Sequence, residues 1–149
     1  MSYTKLLYHV VFRTKKSVPA IPVLHEKELY NYIWAFLKNK GCVLYRIGGM
    51  PDHIHILMQT PPTMALSDLI RDLKSASHKY LVEHRLNFPF YEGWGKSYCA
   101  LSVSEKDRVV ITNYIINQKE HHKTLSFQEE LSSFLKEYGI DVDMAHFPE

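Results

Sequence analysis

A chain of 149 residues with 46% hydrophobic and 23% charged residues has the balance of one ordinary globular domain, which excludes disordered, collagen-like and low-complexity readings. Eighteen basic against sixteen acidic residues leave a formal charge of only +2, so any affinity for nucleic acid must come from clustered charge. Two cysteines, Cys42 and Cys99, are too few for a disulfide framework and lack metal-ligand spacing, which fits a reducing cytoplasm. The first apolar run, Leu6 to Phe12, is followed rather than preceded by its cations and does not read as a signal peptide. No stretch approaches the roughly 20 apolar residues of a membrane span.

Leu6 to Arg13 is rich in β-branched and aromatic residues and predicts a first strand, interrupted by His9 and closed by Thr14 to Ser17. From Pro22 a helical pattern places Leu29, Ile33, Phe36 and Leu37 at three- and four-residue spacing, and Gly41 stops it. Cys42 to Ile47 and Asp52 to Gln59 read as a hairpin joined by Gly48-Gly49-Met50-Pro51, with Pro61-Pro62 ending its second strand. Ser67 to about Arg85 is a second amphipathic helix. Phe88 to Lys96 is an aromatic loop, and Ser97 to Val103 a further strand. Ser104 opens a helix running to about Lys123, and Ser126 with Glu129 forms a capping box for one more short helix, ended by Gly139. Strand, helix, strand, strand, helix, strand is the split βαβ order of a ferredoxin-like α+β fold. The expectation is an antiparallel sheet of four to five strands, helices on one face, and a tyrosine-bearing C-terminal helix. Residues 1–149 are expected to form one domain, with 1–123 as a catalytic core and 124–149 as a helix and tail.

Three clusters carry chemistry. In a strand, His53 and His55 project to one face about 6 to 7 Å apart at Cα, a spacing that suits two imidazoles meeting one cation. With Ile54, Ile56 and Met58 under the helices, the two histidines are expected on an open face of the sheet. In the later helix, Tyr114, Gln118 and His121 follow one another by single turns, so one face presents a phenol, an amide and an imidazole. Lys119, His121 and His122 are the local groups able to assist a phenol that is a weak nucleophile at neutral pH. The third cluster is the cationic stripe Arg71, Lys74 and His78 on the second long helix, flanked by Lys79 and joined by Arg13, Lys15 and Lys16 after the first strand. Such a stripe can track a phosphate backbone, and Phe88, Phe90, Tyr91, Trp94 and Tyr98 can stack unpaired bases.

His53-Ile54-His55 on a strand, Pro61-Pro62 after it, Leu73-Lys74 in the next helix, Trp94 before a strand, and Tyr-Ile-x-x-Gln over Tyr114 to Gln118 together resemble the HUH superfamily. Within it, the chain is most similar to the single-tyrosine transposases of small hairpin-ended insertion sequences and their REP-associated relatives, over roughly Leu6 to Lys123. The resemblance implies that Tyr114 is the nucleophile and that His53, His55 and Gln118 hold Mg²⁺ or Mn²⁺, with His121 competing as third ligand. It implies ATP-independent cutting and rejoining of single-stranded, hairpin-bearing DNA through a 5′-phosphotyrosine bond, without a nucleotide cofactor. It also implies a homodimer joined at the sheet edges. The rival expectation is a domesticated hairpin-DNA-binding module or nuclease that no longer transposes.

Overall fold

A computed structural model of the chain describes residues 2–123 and 125–140. Thr124 and the last nine positions of the expected C-terminal tail lie outside the described residues. The order is β1 (Leu6–Arg13), α1 (Glu26–Asn39), β2 (Val43–Met50), β3 (His53–Thr60), α2 (Leu66–Glu83), β4 (Cys99–Val103), α3 (Arg108–Ile116), α4 (Gln118–His121) and α5 (Phe127–Glu137). The strands form an antiparallel sheet in the order β2-β3-β1-β4, as a ferredoxin-like fold requires. Gly41, with φ +84°, takes the left-handed conformation that ends α1. Ser126 and Glu129 complete the reciprocal capping box at the start of α5.

Strand alternation divides the molecule into two cores. Val10 and Phe12 of β1 and Ile54, Ile56 and Met58 of β3 pack against Leu29, Ile33 and Leu37 of α1 and Leu69, Ile70 and Leu73 of α2. The residues between them face the other way. Leu7 and Leu57 meet Ile115 of α3, while Val11, Cys99 and Leu101 meet Phe127 and Leu131 of α5. Each such buried side chain contributes about 1.5–3 kcal/mol, enough to hold α3 and α5 on the sheet. The face expected to be open is therefore covered, and His53 and His55 are fully buried.

Two further expectations are corrected. The long helix after β4 breaks at Asn117, whose non-helical ψ of 18° separates α3 from α4. The Gly48-Gly49-Met50-Pro51 run is not the hairpin turn. β2 continues through Met50, which pairs with His53, and Pro51-Asp52 makes the reversal. The glycines serve close approach instead: a Cβ on Gly48 would lie 3.0 Å from Ile115 O, and one on Gly49 would lie 2.3 Å from His53 O. Gly49→Ala is accordingly expected to force β2 away from His53, costing about 3 kcal/mol and lowering Tm by about 10 °C. A thermal melt within about 2 °C of the parent would show that the strands yield at no cost.

Candidate active site

Tyr114 projects from α3 toward the buried face of β3. Its half-buried phenol donates a hydrogen bond to Glu130 Oε2, its ring stacks on His121 at 4.5 Å between centroids, and Phe134 packs edge-on at 5.0 Å. Gln118, one turn on, is buried; its amide Nε2 donates to Glu130 Oε2 at 2.9 Å, and its Oε1 accepts from His53 Nε2 at 3.2 Å. The polar face of α3 and α4 thus points inward, while Val109 and Ile116 lie on the exposed side at 62% and 49%. Tertiary packing around the imidazoles has outweighed the usual burial of the apolar stripe.

Glu130 is the centre of the cluster. Its Oε1 lies 3.0 Å from His55 Nε2, 3.2 Å from His122 Nε2 and 3.4 Å from His53 Nε2. Burial alone would raise this carboxyl, but hydrogen bonds from His122, His53 and His55 hold it far below the ordinary carboxylate range. Burial followed by the Glu130 contact pushes the Tyr114 phenol well above its ordinary value, so the phenol is held protonated. At His53, hydrogen bonds donated to Asp52 and Glu130 overcome burial and raise the imidazole, whereas at His55 burial prevails and lowers it.

The outer nitrogens of both rings are engaged. His53 Nδ1 donates to Asp52 Oδ1 at 2.7 Å, and His55 Nδ1 lies 2.8 Å from Nε2 of His9. Both Nε2 atoms are thereby turned toward Glu130, the arrangement in which partners behind a ligand fix its ring. Donor atoms of His53, His55 and Glu130 lie within 4.8 Å of one another, so two imidazoles and one carboxylate fit a divalent cation. A hard carboxylate oxygen suits Mg²⁺ or Mn²⁺ better than the amide of Gln118 does.

Neither Glu130 nor His9 is among the site residues expected from the sequence. A carboxylate at Glu130 inside the stripe Phe127, Leu131 and Phe134 was the available sign, since a buried acid demands partners. His9 shares a strand face with Leu7 and Val11 and is buried. Burial, then the neighbouring His55, lowers His9 to about 3. A depressed imidazole contributes a penalty once the unfolded chain binds protons and the folded one does not. As pH falls from about 6.5 toward 4.5, the metal-free parent is thus expected to lose stability relative to His9→Gln. Parallel Tm-against-pH curves for the two proteins would refute this.

The other expected residues are placed as follows. Lys119 is turned away from Tyr114: its Nζ bonds Glu26 Oε2 at 2.9 Å and Gly49 O at 3.0 Å. Lys74 spends two of its protons on Gly95 O and Ser97 O, both at 2.9 Å, so its first role is to pin the loop before β4. Arg71 is exposed and paired with Asp68 and Asp72. Arg13 donates to Ser17 Oγ at 2.9 Å and lies over Phe127. Lys79 is exposed, and His78 contacts the Tyr91 hydroxyl at 2.8 Å. Lys15, Lys16, His78, Trp94 and Lys96 border a basic cleft of about 470 Å³. Of the aromatic loop, Phe88 and Tyr91 are core residues, Trp94 bonds Ser77, and Phe90 is 67% exposed.

The sheet and its covering helices have the fold of the tyrosine transposases. A REP-associated tyrosine transposase bound to a REP hairpin superposes with a TM-score of 0.62 over 82% of this chain and 72% of its own, at 14% identity. Residues 2–118 match the model of the IS200-like transposases, and the chain belongs to that family. A candidate transposase from Deinococcus radiodurans R1, solved at 1.90 Å, matches with a TM-score of 0.61 and 30% identity over 78% of this chain and 93% of its own. The ISDra2 transposase TnpA of Deinococcus radiodurans is 37% identical over 75 residues, 48% of this chain and 54% of that protein. The chain thus spans about half the length of this curated relative. Glu130 lies beyond the family-matched residues. Among the described residues, no helix is long and apolar enough to cross a membrane.

Proposed function

We propose that this chain is a metal-dependent transposase that cleaves and rejoins single-stranded DNA beside hairpins, with Tyr114 as nucleophile. The observation that carries the reading is a helix-borne phenol held within one buried cluster by Glu130, which also contacts two strand imidazoles whose rings are fixed from behind. Family membership and the hairpin bound by the REP-associated relative support it.

In the proposed step the Tyr114 oxygen attacks a phosphodiester phosphorus. The phosphorus–3′-oxygen bond breaks, leaving a 3′-OH on one strand and a 5′-phosphotyrosine on the other. The phenolic proton leaves to solvent water as the new bond forms, and water returns a proton to the departing 3′ oxygen; the hydrogen bond to Glu130 Oε2 orients the phenol, and α3 holds it in place for in-line attack. His121 supports the ring by stacking, and Gln118 orients Glu130. His53, His55 and Glu130, with Gln118 Oε1 beside them, would hold a divalent ion, which would supply positive charge for the attacked phosphate. Rejoining is the reverse step with a different 3′-OH. Lys15 and His78, with Lys79 nearby on α2, offer phosphate contacts for the hairpin, and the edge strands β2 and β4 offer pairing surfaces for a second copy.

Incubation with hairpin-bearing single-stranded DNA and Mn²⁺, followed by denaturing electrophoresis, is expected to yield a protein–DNA adduct. Retention of the hairpin with no adduct would make the chain a binding module instead.

A further inference from the structure

A second cleft opens from the same cluster on its β2 side. It has a volume of about 520 Å³ and runs between α1, β2 and the α3–α4 junction, with Gln118 at its inner end. The volume is of the size that takes a small ligand. Nothing in the chemistry above uses it.

Its α1 wall is unusual for a surface helix. Lys27, Tyr30, Asn31 and Trp34 recur at three- and four-residue spacing, so a cation, a phenol, an amide and an indole share one face beside the buried stripe of Leu29, Ile33 and Leu37. Trp34 is 45% exposed, a large apolar ring left in water on the wall of a cleft. Across from it Arg46, also exposed, directly follows a register shift between Leu44 and Arg46, the kind of irregularity that re-aims a side chain. Lys119 is paired with Glu26 within the cleft, so these two charges offset each other and Lys27 and Arg46 leave the lining net positive.

An exposed indole with one cation on its own helix and another on the facing strand is the chemistry that receives an unpaired base and its phosphate: the ring stacks on any base, and the cations hold the backbone. We infer that this cleft holds one nucleotide of the single strand leading into the active site, its base on Trp34 and its phosphate on Arg46 and Lys27. The inference rests on the reading of the chain as a single-strand DNA transferase. Duplex DNA, whose bases are already stacked, has no face to offer Trp34, so the cleft discriminates between the two forms.

The test uses a short fluorescent oligothymidylate, which forms no hairpin, and a mixed-sequence duplex of equal length, with affinities read by anisotropy across a salt series. Trp34→Ala is expected to weaken oligothymidylate binding about tenfold and to leave duplex binding unchanged, while Trp34→Phe, which keeps a ring, retains most of the affinity. Arg46→Met is expected to lower the salt slope for the single strand by about 0.7. Equal oligothymidylate affinities for the parent and Trp34→Ala, or equal losses on duplex and single strand, would overturn the inference. Either result leaves the hairpin adduct assay untouched. Conversely, Trp34-dependent oligothymidylate binding in a protein that forms no hairpin adduct would sink the transferase reading while keeping the cleft as a strand-binding site.

Discussion

Tyr114→Phe is expected to abolish the covalent adduct with hairpin DNA, a loss of about 10⁴-fold or more in cleavage, while hairpin affinity is kept. The change removes one oxygen. Glu130 Oε2 keeps the amide of Gln118 at 2.9 Å, and Oε1 keeps its three imidazoles, so the buried carboxylate is not orphaned. The ring still stacks on His121 and meets Phe134 edge-on. The expected cost to stability is therefore only about 1 kcal/mol, the scale of one hydrogen bond. Mass spectrometry of a trapped adduct supplies the check. DNA attached to any other residue would overturn the proposed mechanism.

The second large effect concerns the metal. His55→Ala is expected to reduce Mn²⁺ affinity about a hundredfold and to take cleavage below detection, because the variant loses an imidazole whose Nε2 is aimed at Glu130 and whose Nδ1 is backed by His9. Calorimetric titration also separates the two candidates for the third ligand. If the carboxylate is the ligand, Glu130→Gln weakens Mn²⁺ about as much as His55→Ala does, and Gln118→Ala weakens it less than tenfold. The reverse ranking would restore the amide to that position. Full cleavage by His55→Ala in EDTA would remove the metal from the mechanism altogether.

Local patterns were sufficient for most of the architecture. Alternation in Leu6 to Arg13 and His53 to Thr60 separates the two faces of the sheet without reference to any other segment, since successive strand residues must point oppositely. Helical spacing does the same for α1 and α2, and Ser126, Glu129 and Gly139 mark the ends of α5 by backbone chemistry that acts within a few residues. For the same reason His53 with His55, and Tyr114 with Gln118, were legible as pairs: each pair sits on one element with a known period.

What local pattern does not contain is the distance between elements. His9 meets His55 because β1 and β3 are neighbours in the sheet, and Glu130 reaches His53, His55, His122 and Tyr114 because Phe127 and Leu131 seat α5 on the same face. That packing closes the face expected to be open, keeps Glu130 ionised in the interior, and turns the polar side of α3 inward at the expense of Val109 and Ile116. It also reassigns residues whose type is unchanged: Lys119 becomes a tie between α4 and α1, Lys74 a pin for a loop, and Gly49 a gap for His53 O. A side chain's chemistry is set by its own atoms, but its partner, charge state and access to water depend on residues tens of positions away, and only the folded chain brings those together.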